Sequence, residues 1–146
     1  MGNFIKKYLE DWKLLGSENG MTLQLEKGTG YEPDKDAVGL VYEYSHLLSS
    51  IELKSCYKNS LLASLVNDDL EYWEGFYVTE GIPLPLNHAF NVKEGKVVDF
   101  TAVKFNISVE EYWGIQVPKE VLEAYMETEQ FYTALQFYFM NYSKKV

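Results

Sequence analysis

The 146-residue sequence contains one cysteine, Cys56. A lone cysteine forms no internal disulfide and excludes a zinc site built on several thiolates. Histidine is nearly as scarce. His46 and His88 are the only two, and the acidic residues show no ligand spacing, so neither a metal nor a cofactor is expected. No apolar run approaches the roughly 20 residues of a membrane span. The opening MGNFIKKYLEDWKLLG has no apolar stretch of the kind a secretory signal requires. Lys6 stands where myristoylation at Gly2 would call for Ser or Thr. Arginine-rich runs are absent, and 13 basic residues face 22 acidic ones for a net charge of −9. Binding phosphates takes clustered Lys and Arg, so this balance argues against nucleic acid and anionic membranes and allows a basic protein partner. These absences point to a cytoplasmic protein without internal repeats or low-complexity tracts.

Apolar and aromatic residues are plentiful, at 47% and 16% of the chain. That is too apolar for disorder and enough for one domain, residues 1–146, with its own core. Phe4, Ile5, Tyr8, Leu9, Trp12 and Leu15 follow helical spacing, which predicts an amphipathic helix over 3–15 ended by Gly16. MTLQLEKG, 21–28, alternates like a strand, and GTGYEPDKD, 28–36, reads as a loop. Residues 36–50 favour a helix, although Val38, Val41 and Tyr42 also suit a strand. KSCYKNSLLASLVND predicts a helix with Tyr57, Leu61 and Leu65 on one stripe and Leu62 and Val66 beside them. Four strands follow in EYWEGFYVT, NHAFNV, KVVDFT and EYWGIQV, separated by Gly- and Pro-bearing turns. Two helices over 118–144 end the chain, with Pro118 in the first turn of one. The fold class is therefore α+β, an antiparallel sheet of about four or more strands packed with helices.

The stretch PLNHAFNVKEGKVVDFT, 85–101, carries the chemistry. A two-residue turn at Glu94–Gly95 pairs Lys93 with Lys96 and Val92 with Val97. Extending that ladder sets His88 opposite Thr101 and Phe90 opposite Asp99, which makes Asp99 a diagonal neighbour of His88. A three-residue turn would send Asp99 to the other face, so the hairpin permits the contact without forcing it. An aspartate beside a histidine fixes the ring tautomer and stabilises the imidazolium. Cys56, near a helix start, gives the other ring nitrogen a task, because helix N-termini favour thiolate. A lone cysteine is ordinarily an inert buried thiol. Cys56, His88 and Asp99 in this order and on these elements outweigh that reading, and they make a nucleophile, a general base and an orienting carboxylate.

The pieces SCYKN at 55–59, EGFYV at 74–78, NHAFNV at 87–92 and VVDFT at 97–101 resemble the transglutaminase-like branch of the papain-like cysteine fold. The resemblance spans roughly 50–117, which leaves the N-terminal helix and the C-terminal helices as additions to that core. In that family the order is Cys on a helix, His on a strand and Asp on the next. Phe90 stands where relatives place Trp, Phe100 where they place Pro, and Ser55 and Lys54 where some place an oxyanion-binding Gln. Asn59, one turn beyond Cys56, is the candidate substitute donor, and Trp73 and Trp113 are candidate cleft walls. The resemblance implies a cysteine hydrolase or acyltransferase acting on a protein, peptide or small amide or thioester. The alternative is an acidic, inhibitor-like binding protein on the same scaffold, consistent with the net charge. A weaker option is a Tyr/Trp-lined pocket in which the triad binds without reacting. Phe131, Tyr132, Phe137, Tyr138 and Phe139 exceed what one helix face needs, so a homodimer surface stands second to core packing.

Overall fold

A computed structural model describes residues 4–14, 27–44, 46, 51, 56–128 and 133–142. Within these it is α+β, with six helices and a five-stranded antiparallel sheet. The strands are β1 (Thr29–Tyr31), β2 (Glu71–Thr79), β3 (Leu86–Lys93), β4 (Lys96–Val98) and β5 (Val109–Val117). The helices are α1 (Phe4–Leu14), α2 (Lys35–Glu43), α3 (Cys56–Val66), α4 (Phe100–Lys104), α5 (Lys119–Met126) and α6 (Ala134–Tyr142). Strand order across the sheet is β1-β5-β2-β3-β4.

Alternation along β2 and β5 sorts side chains to two faces. Tyr72, Phe76 and Trp113 pack with Ile5 and Leu9 of α1 and with Leu122 and Leu135 of the C-terminal helices. On the opposite face Trp73, Phe90, Val92 and Tyr112 form a second cluster. A third joins α2, α3 and α4 through Val41, Ala63 and Phe100. Gly75 and Gly114 face each other across β2 and β5. A Cβ at Gly75 would meet Trp113 O at 2.1 Å, and one at Gly114 would meet Glu74 O at 2.8 Å and the Phe90 ring at 3.1 Å. Glycine at both places lets the two strands close together beneath Phe90.

Two buried carboxylates fasten helix starts to the sheet. Glu111 of β5 accepts from the Phe4 and Ile5 backbone N–H groups, at 3.0 and 2.8 Å, where the positive end of α1 begins. Glu74 of β2 accepts from the Tyr72 hydroxyl at 2.6 Å and from Leu135 N at 3.2 Å, in the first turn of α6. Burial raises the Glu74 pKa even so.

Several sequence expectations shift. Residues 29–31 fall in the expected loop, yet they pair with Tyr112–Gly114 as an edge strand. The expected strand over 21–28 falls mostly outside the described residues, as do Leu15, Gly16, Phe131 and Tyr132. Residues 35–43 are helical, with Ala37 and Val41 buried and Val38 and Tyr42 exposed. Pro118 is the N-cap of α5, one place before the helix. The expected stripe of helix α3 is only half-buried, with Tyr57 and Leu61 packed against the main core. The buried residues of α3 are Asn59, Ser60, Ala63 and Ser64, while Leu62 and Val66 are exposed. Small and polar residues face inward because α3 packs closely on β3 and uses side-chain hydrogen bonds there.

Candidate active site

The β3–β4 hairpin has the expected register, Lys93 with Lys96 and Val92 with Val97. Glu94 and Gly95 both have positive φ, 51° and 80°, the type I′ geometry whose twist suits a two-residue hairpin. The ladder then stops at Asn91 with Val98. The expected pairs His88–Thr101 and Phe90–Asp99 do not form, because Asp99 leaves the strand to become the N-cap of α4, and Thr101 lies in that helix. Asp99 Oδ1 accepts from Ala102 N at 3.1 Å, and this local bond competes successfully with further strand pairing. Across that edge from β2, residues 86–90 of β3 have no β4 partner. Helix α3 packs on β3 and brings its first residue, Cys56, to His88.

Asp99 reaches the imidazole from its cap position. His88 Nε2 lies 2.7 Å from Asp99 Oδ2, with the two residues 2% and 5% exposed. The same oxygen accepts from the Tyr112 hydroxyl at 2.9 Å. Burial alone would push the Asp99 carboxyl up, but the His88 charge and the hydrogen bonds from His88, Ala102 and Tyr112 outweigh it and hold the pKa below its usual value. Burial alone would lower His88. The charge and hydrogen bond of Asp99, then those of Cys56, raise it from 6.5 to about 9. Nε2 is engaged by Asp99, so Nδ1 is the nitrogen left for the sulfur. The Cys56 thiol is free and half-buried, at the opening residue of α3. The structure thus puts His88 and Asp99 in direct contact and Cys56 near the His88 ring.

The other candidates have different surroundings. Asn59 is buried, and its Nδ2 donates to Thr101 Oγ1 at 3.0 Å, which ties the cysteine helix to the helix that Asp99 caps. Trp73 lies in the inner cluster, edge-on to Tyr31 and stacked near Phe90, with Nε1 donating to Glu71. Trp113 is buried on the opposite face. Phe90 and Phe100 are both core residues, 0% and 2% exposed. His46 is exposed.

Two contacts escaped the sequence reading. Tyr112 buttresses Asp99, and Tyr77 lies flat on the His88 ring with centroids 3.8 Å apart and planes 6° apart. The β2–β3 register accounts for the contact of Tyr77. Gly75 pairs with His88 and Tyr77 with Leu86, so Tyr77 is the diagonal neighbour of His88 on one face.

A cavity of about 260 Å³ opens beside Asp99, between α2 and the α4–β5 connection, with Asp34, Tyr42 and Tyr112 among its other walls. A smaller one, about 110 Å³, is walled by Tyr57 and Asn87, the chain neighbours of Cys56 and His88, together with Glu74, Thr133 and Gln136. Among the described residues no cluster of three or more His, Cys, Asp or Glu side chains could hold a metal ion, and no helix is long and apolar enough to cross a membrane. No protein-family model, curated protein or solved structure matches the chain.

Proposed function

We propose that the protein is a cysteine-dependent hydrolase or acyltransferase built on a transglutaminase-like, papain-like core, with an amide or thioester as substrate. One observation carries the reading: His88 is bonded through Nε2 to a buried carboxylate and lies near enough to Cys56 for its hydrogen bond and charge to raise the ring's pKa. An imidazole raised to about 9 is protonated at neutral pH and is therefore a partner for thiolate and a proton donor for a leaving group.

In the proposed sequence the Cys56 thiolate attacks the carbonyl carbon, and the carbonyl electron pair moves to oxygen. Backbone N–H groups in the first turn of α3 have no intrahelical acceptor and favour that oxyanion. His88 then protonates the departing amine or thiol as the bond to carbon breaks, leaving an acyl-cysteine and a neutral imidazole. Water or an amine attacks the thioester, the imidazole takes its proton, and the thiolate–imidazolium pair returns. Asp99 stays ionised throughout and holds the ring. Asn59, committed to Thr101, serves in aligning α3 with α4. The smaller cavity beside Tyr57 and Asn87 is the flank on which a substrate group would sit.

The test is acyl trapping. Incubation with an activated small thioester should add one acyl mass at Cys56, and the adduct should fail to form with Cys56→Ser and form at least tenfold more slowly with His88→Ala. Equal acylation of wild type and His88→Ala would refute the triad. The net charge of −9 favours a second reading, an acidic binding protein that masks a basic partner. That reading predicts salt-sensitive binding of a basic protein, unaltered by Cys56→Ala, together with no acyl adduct.

A further inference from the structure

We infer that Tyr77 is a positioning residue for the triad, stacked on His88 so that its ring fixes the imidazole plane and favours the protonated imidazole. The inference rests on the cysteine-dependent reading above and concerns the same site.

The geometry starts with Gly75. It pairs with His88 across β2 and β3 and carries no side chain, so nothing from β2 projects directly over the imidazole. Tyr77, two residues on and on the same face, leans into that space. The result is a parallel stack, 3.8 Å between centroids and 6° between planes. Phe90 and Tyr112 lie farther off, each with its centroid 6.2 Å from the imidazole. Asp99 anchors one edge of the imidazole through Nε2, but a single hydrogen bond leaves the ring free to tilt about that contact. The flat contact with Tyr77 removes the tilt and so fixes the direction of Nδ1, the nitrogen left for the sulfur.

The chemistry agrees with the geometry. The face of a tyrosine ring is the negative side of its quadrupole, and a cation laid on it is stabilised. The imidazolium gains from that face and the neutral imidazole much less. Tyr77 is half-buried, so its ring also shields the His88–Asp99 bond from water while its own edge remains wet. Burial and the nearby Asp99 and Cys56 charges keep its hydroxyl protonated, so the ring on His88 stays neutral. Phenylalanine would preserve the face, and an aliphatic residue would not.

Cys56 is the only thiol, so iodoacetamide uptake reports on that residue alone. The experiment compares alkylation rates at pH 6, and across pH 5 to 9.5, for wild type, Tyr77→Phe, Tyr77→Leu and His88→Ala. The expected result is that Tyr77→Phe stays within about twofold of wild type at pH 6. Tyr77→Leu should fall threefold or more, with the rise in rate displaced to higher pH. Thermal unfolding of each variant separates this from damage to the fold. A Tyr77→Leu protein that melts earlier but alkylates like wild type would reduce Tyr77 to a packing residue and overturn the inference. If wild type and His88→Ala alkylate alike, the cysteine–histidine reading fails first and takes this one with it. Should Tyr77→Leu not fold, Tyr77→Met carries the same comparison. Proton chemical shifts need no substitution: the His88 ring protons should lie upfield of those of exposed His46, and coincident shifts would contradict the stack.

Discussion

At the scale of single residues the site is organised around Asp99, which is both the cap of α4 and the acceptor for two side chains. Asp99→Asn separates these tasks. Asparagine is as good a cap as aspartate, so α4 should persist. The charge is lost, however, and burial then acts on His88 opposed only by Cys56, so its pKa falls. Acyl trapping at pH 7 should slow at least tenfold, and the melting temperature should fall with the loss of the ion pair. An unchanged trapping rate would remove Asp99 from the mechanism. Tyr112→Phe leaves the charge but deletes one of its donors. A hydrogen bond to a buried carboxylate contributes about 2 kcal/mol, and chemical denaturation should show a loss of that order.

At the scale of elements the positioning depends on how α3, α4 and the sheet are locked together. The Asn59–Thr101 bond joins the helix that bears Cys56 to the helix that Asp99 caps. Asn59→Ala strands the buried Thr101 hydroxyl and should destabilise by about 1–3 kcal/mol, with the larger effect on trapping rate because Cys56 loses its alignment. Gly75→Ala puts a Cβ 2.1 Å from the Trp113 carbonyl, so β2 and β5 must separate. A loss of about 3 kcal/mol or more is expected in thermal or denaturant unfolding. Much of this scale was legible in the sequence. The β2, β3 and β5 strands show in their aromatic alternation, and Glu94–Gly95 set the hairpin register. Two features were not legible. Asp99 was read as a strand residue, because pairing arithmetic does not see a side chain that caps the next turn. The most buried face of α3 is the other, because hydrophobic periodicity finds Tyr57 and Leu61 but does not reveal a face chosen for small size and hydrogen bonding. The His88–Asp99 contact does not depend on either point, because the short hairpin confines these two residues to one region, whichever face or cap delivers the aspartate.

At the scale of the whole molecule the buried pair links stability to pH. His88 is raised from 6.5 to about 9 on folding, so its contribution is complete below about pH 6.5 and is lost as pH climbs through 9. Asp99 is lowered, so its contribution is present above its ordinary value of 3.8 and is lost only as pH falls through the lower folded one. Glu74 is raised by burial and works the other way, losing its contribution as pH rises through its folded value. The diagnostic interval is therefore pH 6.5 to 9.5. Wild type should lose melting temperature steadily across it, and His88→Ala, less stable at pH 6 for want of the ion pair, should show a flatter profile. Equal slopes would place the origin of the pH dependence elsewhere.

The most direct measurement is a pH titration of the two histidine rings by nitrogen-edited NMR, with exposed His46 as the internal reference. An imidazole held between a buried carboxylate and a thiol should remain protonated through neutrality and titrate near pH 9, and its midpoint should drop in Cys56→Ala. A His88 ring that titrates at or below 6.5, indifferent to the sulfur, would contradict the account.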